Sequence, residues 1–371
     1  MSEHILITGG AGFIGSHLAD ALLHEGHRVR VLDNLTTQVH GPGRHRPAHL
    51  SPEVELVVGD VRDPDAVRRA LSGIDAVYHF AAMVGVGQSM YQIESYTSVN
   101  VLGTSVLLEA IAAQRVRRIV VASSMSLYGE GLYRAPTGAI VEGKGRSIEQ
   151  LRRGEWELRS SDDEVLEPVP TPETKTPALE SVYALSKYDQ ERLCLIFGRA
   201  YAVPVVAMRF FNVYGPRQAL SNPYTGVLAI FASRLLNDAP PLVYEDGLQR
   251  RDFVSVHDVA RACVRALSAE AAAFSVINVG SGNAYTVREI AAHVGRALGS
   301  SIAPEITGKH RVGDVRHCFA DIGLSRRLLG HEPQVTLEDG LEELAGWLAG
   351  QAAHDRAIEA RAELEKRGLT L

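Results

Sequence analysis

The chain has little cysteine: Cys194, Cys263 and Cys318 are the only three in 371 residues, far apart and with no CxxC pair. That leaves an odd thiol and argues against a disulfide framework or a bound metal, and a reducing cytoplasm is the expected location. Basic charge is not in excess either. Lys and Arg number 38 against 44 Asp and Glu, a formal charge of −6, which argues against nonspecific nucleic-acid binding. No run approaches the roughly 18 consecutive apolar residues of a membrane span. The N-terminus enters a strand without a basic stretch and long apolar run, so neither a signal peptide nor membrane attachment is expected. What is left, 46% hydrophobic and 22% charged, is a globular chain long enough for one or two domains, with no evident internal repeat.

What is present starts with a short apolar strand over His4 to Thr8. It runs into Gly9-Gly10-Ala11-Gly12-Phe13-Ile14-Gly15 and then a helical pattern through Leu18, Ala21 and Leu22. Strand, glycine turn and helix make a phosphate site, because glycines admit a pyrophosphate to the backbone and the helix N-terminus offers free N–H donors. Gly9, Gly12, Phe13, Ile14 and Gly15 are therefore candidate cofactor contacts, with GxxGxxG spacing in place of the usual GxGxxG. A second strand, Arg28 to Leu32, ends in Asp33-Asn34. An acid there binds ribose hydroxyls and repels a 2′-phosphate, so NAD is expected over NADP, with Arg30 the one nearby residue that would soften the preference. A third strand, Val54 to Val58, delivers Asp60 and Val61 to the adenine edge. A fourth delivers Phe80, Ala81 and Ala82 where the cofactor passes the sheet.

Tyr183 and Lys187 stand four apart in a helical segment, hence on one face, about 5–6 Å between Cβ atoms. A phenol with a pKa near 10 is a poor base, and bringing it to about 7 needs roughly 4 kcal/mol. One cation at roughly 6 Å and an effective dielectric of about 20 supplies about 2.8 kcal/mol. Lys187 beneath the phenol needs a second positive charge, which an oxidised nicotinamide carries.

Five motifs in this order resemble the extended short-chain dehydrogenases and reductases: GxxGxxG, the VNxxGT setting of Asn100, Ser123-Ser124 before Tyr128-Gly129, YxxxK at 183–187, and Arg311-Val312-Gly313-Asp314. The resemblance covers about residues 5–348 and points to the branch acting on nucleotide sugars, such as UDP-galactose 4-epimerase. It implies an α/β fold, a doubly wound parallel Rossmann sheet with a smaller C-terminal substrate-binding α/β domain. The expected division is 1–212 with an insertion at 130–172, then 213–349 with 253–280 packing back on the first domain, then a helical tail at 350–371, exposed or packed on a partner.

The resemblance also implies roles. Ser124 would complete a Ser/Tyr/Lys centre, with Ser123 the weaker candidate and a cofactor contact, as is Phe210. Asn100 would order the site behind the cofactor. Asn212, Arg251, Arg311 and Asp314 would hold the diphosphate and ribose, Tyr244 would stack on the base, and Val84, Gln88 and Val227 would complete the substrate site. Dehydratases of this kind carry acids after the serine, whereas Met125 and Ser126 stand here. The expected reaction is therefore oxidation at the sugar C4 followed by return of the hydride, a 4-epimerisation. The long insertion with ALSNPYTGV (219–227) and YEDGLQRRDF (244–253) is similar to that of dTDP-L-rhamnose 4-epimerases. The insertion is read as covering the site, and a homodimer paired through helices is expected, as is common in this branch.

Overall fold

The structure is a computed structural model that describes residues 2–219, 226–311, 313–351 and 357–370. Seven parallel strands form its large sheet: β1 (His4–Thr8), β2 (Arg28–Asp33), β3 (Glu55–Val58), β4 (Ala76–His79), β5 (Arg118–Ser124), β6 (Val205–Phe210) and β7 (Ser275–Val279). Their order is 3-2-1-4-5-6-7, reversing at β1 beside β4. Alternate residues point to opposite faces. Ile5 and Ile7 enter one core with Val29, Val31, Val120 and Ala122, while Leu6, Leu32, Ile119 and Val121 enter the other. Both faces are covered, which is why these strands read as unbroken apolar runs.

A third core gathers Tyr214, Phe231, Val243, Phe253, Ile290 and Leu341 from residues 213–349 and marks a second lobe. The two lobes are interleaved in sequence. Phe253–Ser255 pairs with Asn212–Tyr214, and the next helix, Val256–Ala266, is started by the Ser255 hydroxyl accepting from the His257 N–H. That helix packs on Phe13–His24, and β7 then joins the edge of the large sheet beside β6.

The insertion is a small three-stranded antiparallel sheet, Leu132–Arg134 with Ile140–Glu142 and Glu167–Val169, built around Tyr133, Leu158 and Leu166. Contrary to the expectation from its length, none of its residues lines the cleft between the lobes. It docks behind the cleft through carboxylates. Glu130 accepts the N–H groups of Arg316 and His317 at 2.6 and 3.1 Å. Glu157 pairs with the His317 ring at 2.9 Å and with the fully buried Arg316, whose guanidinium also meets Glu245 and Asp246 at 2.8 and 2.6 Å. A buried guanidinium needs such partners. The tail differs from expectation too: the helix Ala357–Lys366 buries Ala360 and Leu364 against its own chain. Among the described residues no helix is long and apolar enough to cross a membrane.

Burial works to raise the Glu157 carboxyl, but hydrogen bonds from His317 and Arg316 prevail and hold it at about 2, below its ordinary 4.5. A depressed folded value stabilises above the unfolded pKa and is lost as pH falls through the folded one. Glu157→Gln should therefore melt several degrees below wild type near neutrality. The two curves should converge as pH falls from about 4.5 towards 2; curves that stay parallel would show that the pair contributes nothing to folding.

Candidate active site

A cleft of about 810 Å³ lies along the C-terminal ends of β1, β2, β4, β5 and β6, reaching across to the second lobe. Ligands of open α/β sheets bind at this place, beside the reversal of strand order. At its floor Gly9 has a φ of +70°, and a Cβ there would fall 2.8 Å from the Ala81 backbone. A Cβ on Gly15 would fall 2.6 Å from Gly10 and from the Gly9 carbonyl, so the helix sits on the turn only without one. Gly12 begins that helix, no side chain caps it, and the nearest atom to a Cβ there is 3.4 Å away. Its free N–H groups and dipole suit a pyrophosphate.

Asp33 is held at the end of β2 by the N–H groups of Ala11 and Leu35 at 3.1 and 2.9 Å. Arg30 donates to the carbonyls of Ala70 and Ser72 and pairs with Glu55 at 2.8 Å, so its guanidinium is committed elsewhere. The Arg62 hydrogen bonds, despite partial burial, hold Asp60 at about 2, and Asn34 donates to it as well. Val61, Phe80, Ala81, Ala82 and Phe210 line the same end of the cleft, Phe80 edge-on to Phe210 at 5.7 Å. These residues fit a dinucleotide whose ribose is read by a carboxylate.

Asn100 is different. It sits on a π-helical turn, Ser98–Leu102, fully buried, and is absent from the cleft wall. Its amide accepts from the Met83 N–H at 2.7 Å and donates to the Met83 carbonyl and the Ser186 hydroxyl. It ties the loop after β4 to the helix carrying Tyr183 and touches no ligand surface itself.

That helix, Val182–Tyr201, is capped by Ser181, which accepts from Ala184 N–H at 3.1 Å. Burial pushes the Tyr183 phenol above its ordinary 10, and a hydrogen bond with Ser124 works the other way. Ser124 also accepts from the Ser126 amide and hydroxyl at 3.2 and 2.9 Å. Lys187, one turn on from Tyr183, has its hydrogen bonds committed to other groups. Its ammonium, 2% exposed, donates to the Ala122 carbonyl and to Gln190 Oε1, and burial lowers it to about 7. A buried ammonium takes the acceptors within reach, and here they are a strand carbonyl and a side chain of its own helix.

Sequence reading missed those partners. Gln190 Nε2 stands 2.8 Å from His79 Nε2, and His79 Nδ1 lies 2.7 Å from the Thr8 hydroxyl, linking Lys187 to β1 and β4. Burial, with the Lys187 charge adding to it, takes His79 down to about 3, so it is neutral. Glu191 was missed as well. It pairs with Arg209 at 2.8 and 3.0 Å and accepts from the Ser123 hydroxyl at 2.6 Å. Ser123 is thereby occupied, and Ser124 is the serine at the phenol. The signal was spacing: 183, 187, 190 and 191 share one helix face.

Val84, Gln88, Asn212, Val227, Tyr244, Arg251, Arg311 and Asp314 all line the remainder of the cleft. Arg251 donates to the Arg316 carbonyl at 2.9 Å and to that of Val315. Arg311 stacks 4.5 Å over Tyr244 and pairs with Asp314 at 2.8 Å. The Asn212 amide donates to the Asp252 carbonyl at 2.8 Å, and Gln88 exchanges hydrogen bonds with Gln38. Met125 and Ser126 line the wall beside Ser124, and Glu180, exposed, is a lining acid not singled out from sequence. Leu220 to Thr225, part of the ALSNPYTGV stretch, and Val312 lie outside the described residues.

Removing the carboxylate at the end of β2 should relax cofactor choice. Asp33→Ala should tighten NADP binding about tenfold relative to NAD, a shift of roughly 1.4 kcal/mol, read by fluorescence titration of both. An unchanged ratio would show that Asp33 does not read the ribose.

The NAD dependent epimerase/dehydratase family matches residues 5–144 and 159–280. A dTDP-L-rhamnose 4-epimerase of Burkholderia thailandensis is 38% identical over 94% of this chain and 95% of its own. A Thermotoga maritima UDP-glucose 4-epimerase, solved with UDP-glucose, superposes with a TM-score of 0.76 at 30% identity, over 93% of this chain and 98% of that one. A Bacillus cereus UDP-glucuronic acid 4-epimerase, in complex with UDP-glucuronic acid and NAD, gives 0.73 at 29% identity, over 93% and 99%. The chain belongs to the NAD dependent epimerase/dehydratase family, as an NAD-dependent nucleotide-sugar epimerase.

Proposed function

We propose that the chain is a 4-epimerase working through a transient 4-keto sugar, and that its substrate is dTDP-L-rhamnose, converted to dTDP-6-deoxy-L-talose. The observation that carries the chemistry is the hydrogen-bonded Ser124 and Tyr183 in a cleft whose adjacent wall is Met125 and Ser126. The 38% identity to a dTDP-L-rhamnose 4-epimerase supports the substrate. The UDP-sugar relatives favour a second reading, a UDP-hexose or UDP-uronate 4-epimerase on the same site. A reductase of nucleotide 4-ketosugars would use the same fold.

Tyr183 takes the proton of the sugar 4-hydroxyl and later returns it, and Ser124 holds the 4-oxygen by hydrogen bonding so that this proton lies on the path to the phenolate. NAD, when bound, supplies reversible hydride acceptance from C4 and a positive ring charge that favours the phenolate. Lys187 adds its own charge near Ala122 and is kept in place by Gln190. Arg251, Arg311 and Asn212 anchor the nucleoside diphosphate, an Arg fork suiting a diphosphate. Gly85 and Gly87 leave room for the tethered keto sugar to present its other face. Net redox change is zero.

The exposed Ile93 and Leu102 on one helical stretch, with Leu185 and Ile196 on the Tyr183 helix, offer an apolar surface consistent with a homodimer.

Purified protein without added cofactor should be incubated with dTDP-L-rhamnose, UDP-glucose, UDP-glucuronate and GDP-mannose and the sugar rings read by NMR. Inversion at C4 of dTDP-L-rhamnose alone is the expected result. Inversion of a UDP-sugar would give the second reading, and conversion only on adding reduced cofactor would make the protein a reductase. In the same assay Tyr183→Phe should keep its NAD and lose about 10²–10⁴-fold in turnover, while Lys187→Ala should weaken both; wild-type turnover in the Tyr183 variant would contradict the mechanism.

A further inference from the structure

The C-terminal helix, Ala357–Lys366, lies between the two lobes at the cleft. On the sheet side Leu364, 6% exposed, stands 3.4 Å from where a Cβ on Gly87 would be, and Arg367 stacks 4.4 Å over Tyr91. On the other side Glu365 pairs with Lys309 at 2.8 Å, and Thr370 bridges to the backbone of Arg311. Glu365 also pairs with Arg361 at 3.0 Å. Ala360, Arg361, Leu364 and Leu369 all line the cleft. A surface helix of alternating Ala, Arg and Glu needs none of this: two apolar side chains are withdrawn from water on the side that faces the pocket, and charged ones hold the helix to both lobes.

We propose that this helix is a wall of the nucleotide-sugar site, with Leu364 bounding the sugar end beside Gly87 and Arg361 standing as an additional cation at the end marked by Tyr244 and Arg311. This rests on the nucleotide-sugar reading of the cleft. Leu364 is an apolar boundary beside Gly85, Gly87 and Val84, and a sugar face without hydroxyls is the chemistry such a boundary favours. Arg361 reinforces the charge of Arg251 and Arg311 towards a diphosphate. Both are specificity-determining residues supplied by a segment outside the two folded lobes.

The test is equilibrium titration of dTDP-L-rhamnose and UDP-glucose into the full-length, NAD-loaded wild type, Leu364→Asp and Arg361→Ala. Removing a buried leucine contact is worth about tenfold in affinity. Leu364→Asp should bind the tighter of the two ligands about that much more weakly while retaining its NAD, read well below the melting temperature of each variant, and Arg361→Ala should weaken both ligands alike through the diphosphate they share. In wild type the same ligand should slow tryptic cleavage at Arg361, Lys366 and Arg367. Leu364→Ala, which adds no charge, serves as the second variant and should shift affinity in the same direction. Wild-type affinity in both Leu364 variants, with tryptic cleavage unaltered by ligand, would overturn the proposal. If binding and protection depend on the helix but no nucleotide sugar is inverted at C4, the epimerase reading fails and the wall stands.

Discussion

An ammonium buried to 2% exposure does not stand without acceptors, and the arrangement of this site follows from how Lys187 finds them. The carbonyl of Ala122 belongs to β5, and Gln190 belongs to the same helix, so the lysine fastens the helix to the strand that carries Ser124. Gln190 reaches His79 on β4, His79 reaches Thr8 on β1, and Thr8 accepts from Phe80 and Ala81, which line the cleft. One polar thread thus sets the catalytic helix against three neighbouring strands. The Glu191–Arg209 pair repeats the fastening one turn on, to β6.

The thread places a phenol where burial alone makes it a worse base. In the proposed mechanism, lowering its pKa falls to positive charge: that of Lys187, whose own pKa burial brings down to about 7, and that of the bound cofactor's ring. The proposed anchor for the nucleotide is built differently. Arg251 is aimed by the carbonyls of Val315 and Arg316, and that segment is in turn gripped by Glu130 and Glu157 of the insertion. The insertion thus braces from behind the segment that aims Arg251.

Much of this was legible in the sequence, for physical reasons. Apolar runs ending in glycines or in Asp33 mark buried parallel strands because both faces of such a sheet are covered. Tyr183 and Lys187 could be read because i and i+4 share a face, and Asn212, Arg251 and Arg311 because their motifs carry them. What was not legible depends on where long-range partners lie. Gln190 and His79 are 111 residues apart and carry no local pattern. The insertion's composition shows a loop, but only the fully buried Arg316 shows which side it docks on. The weak apolar stripe of the tail reads as solvent-facing, since among the described residues Ala360 and Leu364 are its only buried members.

In the proposed reaction the hydride leaving C4 of the sugar returns to the same carbon on the opposite face, within one binding event. The most direct measurement is NMR or mass analysis of product formed from a nucleotide sugar carrying deuterium at C4, mixed with unlabelled substrate of a different mass. Deuterium should stay at C4 in the inverted product and not pass to the second substrate. Loss of the label to water, or its appearance at another carbon, would contradict it.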